Sequence, residues 1–174
     1  MTGVLVACVG NIFLSDDGFG VSVAAALSRA PVPDGVKVVD FGIRSVHLAY
    51  ELLEGYDVLV VVDTVAQQEG PPGSLYVIEP DLPPRDAGAD ALPEVMLDPH
   101  DLSPGGVMSL LPMLGGAVDR ILVVGCRPEV LDDGIGLSAA VAAAVEPAAD
   151  LVRDVVRREL DRLHPDPALA GGGG

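Results

Sequence analysis

Val58–Asp63 reads Val-Leu-Val-Val-Val-Asp, apolar at every position until the last. A strand with one wet face alternates apolar and polar residues, whereas an uninterrupted apolar run is buried on both faces. Such a strand needs helices above and below it. The rest of the chain supplies them. Val4–Val9 is a second short apolar run, ending in Gly10-Asn11, and Val36–Asp40 is a third. Between these strands lie two helical patterns. The first starts at Gly18, with Val21, Ala24, Ala25 and Leu27 on one face, and stops before Pro31. The second spans Ser45–Leu53, with Ser45 expected as its N-cap and Gly55 as its stop. Strand–helix–strand repeated in this way implies right-handed crossovers in an open, mostly parallel sheet. Composition agrees: 49% of residues are hydrophobic and only 3% aromatic, so the core must be built from Val, Leu, Ile and Ala.

Ser74–Glu79 follows a Pro-Pro-Gly turn too closely for a helical crossover and is expected to run antiparallel. Pro80–Asp101 reads as a long loop rich in Pro, Asp and Gly. Val107, Leu110, Leu111 and Leu114 mark a further helix, Ile121–Cys126 a fifth strand, and Ser138–Leu163 a long final helix, bent near Pro147. The expected fold is a single three-layer α/β domain over residues 1–163. Its five-stranded twisted sheet is mostly parallel, with one antiparallel strand and helices on both faces. Residues 164–174 are expected to form a flexible tail.

The formal charge of −16, with only ten Lys and Arg, weighs against nucleic-acid binding, since phosphates must be met by cations. No apolar run approaches the roughly 20 residues that span a bilayer, and the N-terminus lacks a signal peptide's basic flank. A soluble protein in the cytoplasm, with no membrane partner, is expected. Cys8 and Cys126 are too few for a disulfide framework or a thiolate zinc site, and read as small buried residues.

In an open α/β sheet, ligands bind beyond the carboxyl ends of the strands. The first strand delivers Gly10-Asn11 and then Asp16-Asp17, the second Asp40, the third Asp63 and the fifth Cys126; the long loop carries His100. The only basic residues close by in sequence are Arg44 and Arg127. Carboxylates gathered in this way repel one another unless a proton or a cation relieves them. Carboxylate oxygens with one imidazole suit a first-row divalent ion such as zinc or nickel. Each residue also has a plainer reading. One of Asp16 and Asp17 is expected to cap the first helix, Asp63 is compatible with a turn, and a lone His in a Pro-rich loop is commonly solvated. No Walker loop, dinucleotide fingerprint or Gly-x-Ser-x-Gly elbow is present.

Gly10-Asn11-Ile-Phe-Leu-Ser-Asp16-Asp17-Gly18-Phe-Gly20 resembles the N-terminal motif of the hydrogenase maturation proteases. The likeness continues in order through Asp40, Val-Val-Asp63, Pro99-His100, Val124-Gly125-Cys-Arg-Pro128-Glu129, Gly136-Leu137-Ser138 and Glu146-Pro147. It covers roughly Gly3 to Leu160. The resemblance implies an endopeptidase that removes a short C-terminal extension from the large-subunit precursor of a nickel–iron (NiFe) hydrogenase after nickel insertion. It implies Asp17, Asp63 and His100 as ligands of the nickel that the substrate presents, with zinc or cadmium able to replace it in vitro. It also implies Asp40 as an acid important for cleavage, and the nickel-loaded precursor as partner; a monomer is expected. Asp17 stands where many members carry Glu, and Phe41-Gly42-Ile43-Arg44 departs from the commoner Gly-Gly-Thr turn. Two other readings are a different metal-dependent hydrolase and an assembly chaperone that binds the immature subunit without cutting it.

Overall fold

The computed structural model describes residues 3–80 and 118–165. The expected loop beyond Pro80, the helix expected around residues 107–114 and His100 lie outside them, as does most of the expected tail. The continuous apolar runs become strands β1 (Val4–Val9), β2 (Val36–Gly42), β3 (Val58–Thr64), β4 (Leu75–Ile78) and β5 (Arg120–Cys126). Every residue of β1 is buried, and so is β3 up to Asp63. The sheet order is β2-β1-β3-β5-β4, parallel throughout except for β4 against β5. The antiparallel fourth strand follows from its short connection, as the sequence reading expected.

Pleating sends alternate residues of β1 and β3 to opposite faces. Val4, Val6, Cys8, Val58, Val60 and Val62 pack with α1 (Phe19–Leu27) and α3 (Ala139–Leu163). Leu5, Ala7, Val9, Leu59 and Val61 pack with Leu48 and Leu52 of α2 (Ser45–Leu52) on the other face. These are the three layers expected.

Two capping expectations are corrected. Ser45 is the first residue of α2 rather than its cap, and Arg44 before it makes no side-chain cap bond. Neither Asp16 nor Asp17 caps α1; the capping position is Gly18. A 3-10 turn over Ser15–Gly18 runs straight into α1, so both aspartates lie within a helical turn, with their carboxylates free to serve other parts of the chain. By contrast, Ser138 is a genuine N-cap for α3, accepting from the Val141 amide at 3.4 Å.

The chain passes from β1 outward to β2 and then back across β1 to β3. The connection leaving β1 leads to β2 on one side and the loop leaving β3 leads to β4 on the other, so the two diverge at the β1/β3 boundary and open a crevice at the carboxyl ends of those two strands. Two glycines let the backbone close in there. A Cβ on Gly20 would lie 2.1 Å from the Val9 carbonyl oxygen and 2.7 Å from that of Val62. Gly10, at φ +152°, would place one 2.0 Å from the Asp17 carbonyl oxygen. The start of α1 can sit against both strand ends only because these side chains are missing.

Candidate active site

Asp63 is the last buried residue of β3, 8% exposed, and reaches the switch-point crevice. Its Oδ1 accepts from the Thr64 amide at 2.7 Å. Burial pushes its carboxyl up to about 8; the Thr64 bond opposes this, and the negative charge of Asp17 adds to it. Asp63 is therefore a carboxyl that keeps its proton near neutrality unless something positive replaces that proton.

Asp17 is half-buried in the 3-10 turn. Its Oδ2 accepts from the Asn11 amide at 2.9 Å, and Oδ1 lies 3.4 Å from the Thr64 hydroxyl. Thr64 thus touches Asp17 while its amide holds Asp63, so one residue links the two acids. Asp40 is exposed at the end of β2, paired in register with Cys8 of β1. A register shift follows at once, Val9 pairing with Gly42, which frees the end of β2 to turn. Asp40 Oδ1 accepts from the Gly42 amide at 2.9 Å.

The structure thus places Asp17, Asp40 and Asp63 at the same edge of the sheet. Asp17 and Asp63 are electrostatically coupled; Asp40 lies one strand further out. No three potential ligands converge among the described residues. Nor does any ion pair among them involve these acids. Arg44 donates to the main-chain carbonyls of Asp40 (2.9 Å) and Phe41 (3.2 Å), and Arg127 to those of Ala66 (3.1 Å) and Gln68. The two arginines nearest in sequence pin loops and leave the carboxylates uncompensated.

Cys8 and Cys126 are fully buried, as expected. Burial, with help from Asp40, lifts the Cys8 thiol to about 12; burial, with help from Asp16, lifts Cys126 to about 11. Neither can serve as a nucleophile near neutral pH.

Asp16 was not distinguishable from Asp17 by local sequence, and its environment is quite different. It has no exposed surface. Burial would raise its carboxyl, yet amides of Val130, Ser138 and Glu129 and the Ser138 hydroxyl together hold it below the ordinary range. With its oxygens so occupied it is a poor candidate for a base. The repeated Asp-Asp was the only hint in the sequence that two roles were being served.

Residues 21–155 match the family described as hydrogenase maturation protease. The chain is 32% identical over 167 residues to hydrogenase 2 maturation protease of Escherichia coli, covering 95% of this chain and 98% of that protein. Among solved structures, the hydrogenase maturating endopeptidase HybD from Escherichia coli superposes with a TM-score of 0.70 at 28% identity, covering 90% of this chain and 93% of the other. The hydrogenase 2 maturation peptidase from Thaumarchaeota archaeon SCGC_AB-539-E09 does so with a TM-score of 0.62 at 32% identity, covering 88% and 97%. No helix among the described residues is long and apolar enough to cross a membrane. With a matching core, a matching fold and likeness over nearly its whole length, the chain belongs to the hydrogenase maturation protease family, and it is a peptide hydrolase.

Proposed function

We propose that the protein removes a C-terminal extension from the large-subunit precursor of a NiFe hydrogenase after nickel has been inserted. In this reading Asp17, Asp63 and His100 grip the nickel as part of the substrate, in the cytoplasm, with the enzyme acting as a monomer. The observation that carries it is the Asp17–Asp63 pair at the β1/β3 switch point, coupled to each other, without a cationic partner among the described residues, and with Asp63 buried enough to keep its proton. A divalent cation relieves that arrangement in a way no turn or cap requires. His100 joins on the resemblance of its motif.

Peptide hydrolysis needs a base for water and a positive charge for the developing oxyanion. Asp17, Asp63 and His100 would hold the substrate's nickel, which would supply positive charge for the scissile carbonyl or for an attacking water. Asp40 is the group we assign as base. It is exposed, and of its two carboxylate oxygens only Oδ1 accepts a hydrogen bond among the described residues. Asp16 would have to surrender its hydrogen bonds to act as a base.

Nickel-loaded and nickel-free precursors incubated with the protein and weighed by mass spectrometry test this reading. We expect loss of a C-terminal fragment only from the loaded precursor, with slower loss after zinc or cadmium replacement. Equal cleavage of both forms would remove nickel recognition, and tight binding with no mass loss would favour a chaperone. Full cleavage by Asp40→Asn would take Asp40 out of the base role.

A further inference from the structure

Asp16 is a buried carboxylate with no cation paired to it among the described residues, satisfied entirely by donors far along the chain. Its Oδ2 accepts from the Glu129 and Val130 amides and the Ser138 hydroxyl, each at 2.9 Å, and its Oδ1 from the Ser138 amide at 2.7 Å. Those donors lie 113 to 122 residues away in sequence. A carboxylate offers about four lone-pair positions; here three donors gather on Oδ2 and one on Oδ1.

Main-chain bonds surround this centre. The Asp16 amide donates to the Val130 carbonyl at 3.0 Å, the Ser15 amide to that of Gly134 at 2.9 Å, and the Gly134 amide to that of Phe13 at 2.9 Å. The Ser15 hydroxyl donates to the Asp132 carbonyl at 2.8 Å. Ser15 itself stands at φ +52°, where a residue with a Cβ persists only if its surroundings hold it. Gly134 makes room for it: a Cβ there would lie 2.8 Å from the Ser15 hydroxyl. The strained turn that begins at Ser15 is the one that carries Asp17.

We infer that Asp16 is a positioning residue for cleavage: by gathering Glu129, Val130 and Ser138 onto one carboxylate it locks the turn that aims Asp17, without touching substrate itself. The inference rests on the reading above only where it concerns cleavage; the aiming of Asp17 stands on geometry. Adjacent identical acids thus divide the work, one facing inward to fix the loop and one facing the crevice.

Asp16→Asn tests it, because asparagine keeps the shape but turns an amide donor toward N–H groups. Steady-state cleavage of nickel-loaded precursor should show kcat falling tenfold or more, with KM within about threefold of wild type. In the NMR spectrum of the protein alone, the Asn11 amide proton should move upfield as the Asp17 carboxylate leaves it. An unchanged kcat, a change in KM alone, or a fallen kcat with the Asn11 resonance unmoved would each overturn the inference. Should Asp16→Asn not fold, Ser138→Ala removes the hydroxyl donor to Asp16 together with the cap on Val141, and Ser138→Thr, which keeps both, should restore wild-type behaviour. Ser138→Ala should lower kcat several-fold and move the same resonance in the same direction, and failure to do so counts equally against the inference. If wild-type protein cleaves nothing, the functional reading fails alone, and the Asn11 resonance still decides whether Asp16 aims Asp17.

Discussion

Replacing Asp63 by asparagine removes a buried carboxyl while keeping an oxygen that can accept the Thr64 amide bond. Wild-type Asp63 titrates near the ordinary 3.8 when unfolded and at about 8 when folded. Between those values the folded chain holds a proton that the unfolded chain has released, so stability falls as pH rises through this window. The gap corresponds to roughly 5 kcal/mol of stability present in acid and lost by pH 8, an upper bound because packing and water relax around a charged group. The side-chain amide of the variant does not titrate. Its nitrogen needs a partner at the crevice and forfeits roughly 1–2 kcal/mol if it finds none. The variant should therefore be more stable than wild type at pH 8 by on the order of 3 kcal/mol, with the advantage crossing zero near about pH 5 and becoming a deficit of roughly 1–2 kcal/mol toward pH 4. Urea denaturation of the metal-free protein at pH 4.5, 6, 7 and 8.5 reads this directly as the difference between two curves, which cancels every group the two proteins share. Cleavage should be lost in the same variant, a stability gain made at the expense of function. Parallel stability curves for the two proteins would refute the claim that Asp63 is held protonated by burial.

The opposite sign applies to Asp16. Its folded carboxyl is held below the ordinary 3.8, so its contribution is complete above that value and drains away as pH falls below it. Acid unfolding should be shallower in Asp16→Asn than in wild type, and equal slopes below pH 4 would contradict this. Gly20→Ala should destabilise by about 1–3 kcal/mol or more, since its methyl would meet two main-chain oxygens that cannot swing aside; a urea midpoint unchanged from wild type would show that α1 can retreat freely. With thiols at about 12 and 11 and no exposed surface, Cys8 and Cys126 should resist iodoacetamide at pH 8 in the native protein and react on unfolding. Alkylation of either native thiol, followed by mass spectrometry, is the contrary result.

Sequence alone determined the layers. A run such as Val58–Val62 is stable only when covered on both sides, and the Pro-Pro-Gly turn before β4 leaves no length for a crossover, so sheet direction followed from connection length. It also determined the edge at which chemistry collects, because every parallel strand in such a fold points its carboxyl end the same way. What tertiary structure decided was which acid does what. Local rules treat Asp16 and Asp17 alike and expect one to cap α1, yet Gly18 takes that place and Asp16 turns instead to amides more than a hundred residues away. Likewise nothing in Val-Val-Asp-Thr signals a carboxyl near 8. That value comes from removing water on all sides at once, which only the packed β1/β3 crevice can do. Propensity and periodicity act over one or two turns of chain, whereas hydrogen-bond partners and dielectric are set by whatever the fold brings alongside.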